Sequence, residues 1–184
     1  MRRRQAVSGA AGWLANIAGG SLGVTSSSVW GQSAETGQGR QPTRPGDLVA
    51  WPTVSLLDGG VWGPEQARGH AVVVVWWSLH CPFCVRHNLR MEQLHRRIGA
   101  TPLRILTALR EPDAAAAKVH VRSQGLHFPV TLEAQRLSAV FGGRRVSPLT
   151  ATVDRRGRLL QLIPGEMSED DINGLLDLGR QPGA

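Results

Sequence analysis

Seven apolar residues in unbroken succession, Ala71 to Trp77, run through Ser78-Leu79-His80 into Cys81-Pro82-Phe83-Cys84, and a helix-like pattern follows from Val85 to Ile98. An uninterrupted run of this kind fits a central strand covered on both faces. A strand that hands its last residues to the start of a helix confines the chain to an α/β arrangement. The junction carries the only two cysteines. Three residues apart on a helix, two thiols stand about 5–6 Å apart, inside the Cα separation of roughly 4.4–6.8 Å that a disulfide accepts. The pair can therefore close and open with little backbone movement. So small a ring removes little loop entropy and would make a poor staple. Redox chemistry fits this spacing better than architecture does. Half a zinc site and an inert buried pair are the alternatives, but zinc usually brings a second Cys or His pair. No second cysteine pair exists, and His87 and His95 lack the usual His-x3–5-His spacing.

The formal charge of +7 does not point to nucleic acid. Arg2-Arg3-Arg4 supply part of it, and Lys118 is the only lysine. The local clusters Arg96-Arg97, Arg144-Arg145 and Arg155-Arg156-Gly157-Arg158 lack interleaved aromatics, so they read as a solvated basic surface.

The first 34 residues read as an export signal or leader: three arginines, then a stretch rich in Ala, Gly, Ser and short apolar residues, then small residues around Gly31 to Ala34. Glycines 12, 19, 20 and 23 weaken it as a membrane span. Arg3-Arg4-Gln5-Ala6-Val7 resembles a twin-arginine signal without the usual Ser or Thr before the pair. Residues 35–44 read as a polar linker and 45–184 as one domain. Export would place the dithiol in a periplasm-like compartment, with a membrane anchor if the leader is kept.

Within that domain, Val54 to Leu57 and the turn Asp58-Gly59-Gly60 suggest a short strand and its return. Cys84, Met91, Leu94 and Ile98 form one helical face, with Arg86, Arg90, Glu92 and Arg97 directed elsewhere. Leu103 to Leu109 is a second buried strand, and a helix runs from Glu111-Pro112-Asp113 to about Ser123. Phe128 to Leu132 is a short extended piece and Ala134 to Phe141 a short helix. Leu149 to Val153 and Arg158 to Ile163 form a hairpin about Asp154 to Gly157. Ser168 caps a final helix through Leu178, with Asp171 at the capping-box position.

This order resembles the thioredoxin-like fold: an α/β chain with a central mixed β-sheet flanked by helices and an N-terminal β-hairpin extension. Pro45-Gly46-Asp47, Trp51-Pro52, Leu57-Asp58-Gly59, Val74 to Cys84, Val146-Ser147-Pro148-Leu149 and Thr152 to Gly157 resemble the TlpA/ResA-like branch of exported thiol–disulfide oxidoreductases. The resemblance implies a cis-proline at Pro148 opposite the cysteines and catalysis by Cys81, Cys84 and Pro148. His80 stands where that branch often has Trp, Val75 where thioredoxin has a buried acid, and Leu89 where the helix commonly has Pro. Val75 leaves the proton acceptor for Cys84 unassigned.

At a helix N-terminus Cys81 is the expected nucleophile, since backbone N–H groups and the helix dipole favour a thiolate there. Cys84 is the expected resolving thiol. His80, Pro82, Phe83, Ser147 and Trp77 are candidates for pKa tuning or client docking, Trp77 more as a core residue. The implied partners are protein thiols and disulfides and a membrane electron donor, with no nucleic acid, no metal and no cofactor beyond a Cys81–Cys84 disulfide, on a monomer. The expected activity is reduction of exported proteins' disulfides, with cytochrome c maturation as one setting. The alternatives are a disulfide-forming oxidase, a Cu(I) metallochaperone using the pair with His80, His87 or His95, and a docking domain without turnover. Pro82-Phe83 also occurs in glutaredoxins.

Overall fold

The computed structural model describes residues 41–181. The leader at 1–34, its twin-arginine-like stretch and residues 35–40 of the linker lie outside the described residues. The described end of that linker is docked: the Thr43 N–H donates to Val140 O at 2.8 Å. Among the described residues, no helix is long and apolar enough to cross a membrane.

Strand β3 (Ala71–Trp77) is fully buried, as its composition requires. It pairs in parallel with β4 (Leu103–Leu109) and antiparallel with β6 (Leu149–Val153). The edges are β5 (Val130–Thr131), parallel to β4, and β7 (Leu159–Pro164), antiparallel to β6. The sheet order is therefore β5-β4-β3-β6-β7, and the sheet is mixed. A small hairpin of β1 (Val54–Ser55) and β2 (Val61–Trp62) precedes it, and a single turn, α1 (Pro64–Ala67), leads into β3.

Alternation along β3 divides the core in two. Val73, Val75 and Trp77 face Cys84, Met91 and Leu94 of helix α2 (Pro82–Arg97), Ala117 of α3 (Ala114–Ser123) and Ile172 of α5 (Glu169–Gly174). Val72, Val74 and Trp76 face Leu137 and Phe141 of α4 (Ala134–Phe141), together with Val54 and Trp62. Residues 46–49 bridge along the start of β7: Gly46 N–H donates to Leu159 O at 2.7 Å, Leu159 N–H to Asp47 O at 3.0 Å and Val49 N–H to Gly157 O at 2.8 Å.

Two expectations need correction. Glu92 does not point away from the core. It is buried, and its carboxylate accepts from Arg96 Nε at 2.9 Å, His127 N–H at 2.7 Å and Phe128 N–H at 3.3 Å. Three donors offset the cost of taking the charge out of water and tie α2 to the segment before β5. The last helix is also divided, into α5 and α6 (Leu176–Arg180). In α6 the backbone approaches the entry to β4 so closely that a Cβ on Gly179 would lie 2.5 Å from Thr101 Cγ2 and 3.2 Å from Leu103 Cβ.

Candidate active site

The parallel pairing of β3 and β4 brings both C-terminal ends to one edge, with Trp77 opposite Leu109. At such an edge, loops from neighbouring strands converge. Cys81 is the N-cap of α2 and Pro82 its first residue, a position where a missing N–H costs nothing. The Cys84 N–H donates to Cys81 Sγ at 3.2 Å, and the Cys81 thiol donates to the Ser147 carbonyl at 3.5 Å. Cys81 is partly exposed, while Cys84 behind it is fully buried. Burial pushes the Cys84 thiol up to about 12. The hydrogen bond with Cys81 and the charges of Cys81 and Glu111 act in the same direction, against a smaller opposing contribution from the Ser78 backbone.

The Ser147–Pro148 peptide is cis, as the resemblance implies, and Ser147 stands beside Cys81. Pro148 is buried and its carbonyl accepts from Gly165 N–H at 2.8 Å. The loop that delivers this pair leaves α4 at Gly142, whose φ of 93° suits glycine and ends the helix. Phe83 and Val146 are exposed apolar residues, the first beside Cys81 in the chain and the second beside Ser147. Arg86 lies over the Phe83 ring at 5.1 Å and pairs with Glu166 at 2.6 Å. His80 is exposed. Trp77 is fully buried and stacks against His120 at 5.4 Å, so it belongs to the core and not to a docking surface.

Of the histidines weighed as metal ligands, His80 adjoins Cys81 on the surface, and the other two have other surroundings. His87 is buried, with Nδ1 accepting the Met167 N–H at 3.3 Å and Nε2 at 3.3 Å from Thr150 Oγ1. His95 lies eleven positions past Cys84 on α2, about 16 Å along the axis. Among the described residues there is no group of three or more His, Cys, Asp or Glu that could hold a metal ion.

Two residues at this edge escaped the sequence reading. Glu111 bonds the Ser78 hydroxyl through Oε1 and accepts the Leu79 N–H through Oε2 at 3.2 Å, holding the turn that leads into Cys81. Arg110 spreads its guanidinium over residues 144–147. The strand register is the signal that could have found them. If Leu109 ends beside Trp77, the next two residues stand level with Ser78 and Leu79.

No family model matches the chain. Among curated proteins it is similar to the thiol–disulfide oxidoreductase ResA of Geobacillus kaustophilus, 30% identical over 113 residues that cover 60% of this chain and 63% of the relative. It is 25% identical to ResA of Bacillus anthracis over 126 residues, covering 67% of this chain and 71% of that one. Among solved structures, a thioredoxin-family thiol:disulfide interchange protein of Chlorobium tepidum superposes with a TM-score of 0.66 at 20% identity, covering 74% of this chain and 97% of that one. The chain has the thioredoxin-like fold of that structure and is similar in sequence to the ResA proteins. Those relatives are named as thiol–disulfide oxidoreductases.

Proposed function

We propose that this ResA-like chain is an exported disulfide reductase in which Cys81 attacks and Cys84 resolves. The observation that carries the reading is the asymmetry of the two sulfurs. Cys81 is open to a client and receives an N–H from its own helix, while Cys84 is buried and held protonated behind it. In the first step, the Cys81 sulfur bonds to one client sulfur and the other client sulfur leaves as a thiolate. In the second, Cys84 gives up its proton, its sulfur bonds to Cys81, and the remaining client sulfur leaves. The client disulfide has then gained two electrons and the enzyme has lost two.

Glu111 is the acceptor we assign to the Cys84 proton. Its charge bears on Cys84, and its Ser78 contact places it at the motif. General-base removal predicts that Glu111→Gln slows collapse of the mixed disulfide about 100-fold and leaves its formation nearly unchanged. Stopped-flow measurement of the two phases checks this, and equal loss in both would reject the role.

Direction follows from what the reduced state gains. Strong oxidants owe their potential to a stabilised dithiol form. The resemblance of this chain to the ResA proteins favours a reduced form without that stabilisation. The reduction potential, measured by equilibration with glutathione, should therefore lie well below the roughly −120 mV of a strong oxidant, and a value near that figure would favour the disulfide-forming role instead.

The rest of the reading is built on this. A leader at 1–34 and a linker at 35–44 would deliver domain 45–184 to the periplasm, cleaved or anchored. A membrane donor would return the two electrons, and oxidised cysteines of exported proteins, apocytochromes c among them, would be the clients of a monomer that needs no cofactor beyond its own dithiol.

A further inference from the structure

Residues 142–148 belong to no helix or strand, yet this segment carries the carbonyl that faces Cys81. Its ends are held by backbone bonds to Ser138 O and from Gly165 N–H, and its middle is held by one side chain. Arg110 Nε donates to Ser147 Oγ at 2.8 Å, and Nη2 donates to Arg144 O at 2.9 Å and to Val146 O at 2.8 Å. The arginine is itself anchored by its backbone N–H, which donates to Trp77 O at 3.0 Å. The two carbonyls it takes are two residues apart, and the carbonyl of Ser147, next in line, is the one at Cys81. Held at residues 144, 146 and 147 by Arg110, the segment presents the 147 carbonyl to Cys81.

We propose that Arg110 is a positioning residue that sets the rotation and distance of backbone 144–147 relative to Cys81, and so governs how an extended client chain docks. The proposal rests on the proposed reduction of client disulfides, with Ser147 as a docking residue for the client. Only a planar fork with several donors can reach all three acceptors, and a lysine would supply charge at one point. The Arg110 charge also bears on Cys84, so charge and geometry have to be separated in the test.

The test uses the full chain as Arg110→Lys and Arg110→Met, with an oxidised cysteine peptide and with neutral dithiodipyridine, which has no backbone to dock. Losing these hydrogen bonds predicts that Arg110→Lys raises the peptide KM about fivefold or more while kcat stays within about twofold. The dithiodipyridine rate should stay within about twofold of wild type in that variant, since its charge is retained. NMR order parameters of the 144–147 backbone should fall in Arg110→Lys. A peptide KM unchanged in both variants, or peptide and dithiodipyridine rates that fall together in Arg110→Lys, would overturn the assignment. If Arg110→Met does not fold, Arg110→Lys decides alone. A wild-type chain that reduces dithiodipyridine but no peptide would sink the reductase reading, while the NMR order parameters of 144–147 would still report on Arg110.

Discussion

Cys81→Ser removes turnover of protein disulfides by roughly a thousandfold or more in kcat/KM, because no other group at the motif can form the first bond to sulfur. Cys84 is buried and protonated, so it cannot take over the attack. Cys84→Ser has a different outcome. Cys81 still opens the client disulfide, nothing releases the product, and the client remains joined to the enzyme. The adduct is read on a non-reducing gel, is released by dithiothreitol, and its identity by mass spectrometry names the natural client. Turnover by Cys81→Ser, or an adduct that forms on Cys84 instead, would reverse the two roles. If Cys84→Ser expressed in the native host traps no protein at all, the chain does not act on protein disulfides there.

The second large effect is on stability against pH. Burial holds His87 down to about 4, against 6.5 for a free histidine, with the nearby Arg90 adding to this and Glu166 opposing it. The neutral ring accepts at Nδ1 from Met167 N–H, which leaves the proton on Nε2 for Thr150. Above pH 6.5 neither folded nor unfolded chain protonates this ring and nothing is lost. As pH falls from 6.5 to about 4, the unfolded chain takes up a proton that the folded one refuses. The folded state therefore loses up to about 3 kcal/mol at 1.36 kcal/mol per pH unit. The measurement is urea unfolding of wild type and His87→Gln at two pH values. The stability difference between them should move by about 2.5 kcal/mol toward the variant between pH 7.5 and 4.5. A difference that does not change with pH would mean that the ring is charged or solvated in the folded protein.

The contrast between these residues and the motif shows what a linear reading captures. Strands Ala71–Trp77 and Leu103–Leu109, helix Ala134–Phe141 and the hairpin of β6 and β7 were legible, because their apolar runs, alternation and turn residues are local signals. The places of Cys81 at a cap and Cys84 on an inner face followed from a three-residue spacing on a helix. Glu92 was misread because a carboxylate looks like a surface residue until its donors are known, and two of them, His127 and Phe128, lie 35 and 36 positions away. Arg110 and Glu111 were missed for a related reason. Nothing in their immediate neighbours marks them, and their meaning comes from a strand register that sets them beside Ser78 and Leu79. Their contacts reach 37 residues forward to Ser147 and 33 back to Ser78. Trp77 is the opposite case, since its neighbourhood beside the motif suggested the surface while the seven-residue apolar run that contains it placed it inside.

The pairing of residues 46–49 with Leu159 and Gly157 has a practical consequence. β7 is an outer strand of the sheet, and an unpaired outer strand invites a second molecule to add its own backbone. In this protein the first residues of the domain occupy part of that margin. Trimming the chain back past Leu48 would strip away the cover and leave the carbonyl and N–H of Leu159 vacant, so where a recombinant form is made to begin bears on whether it clumps.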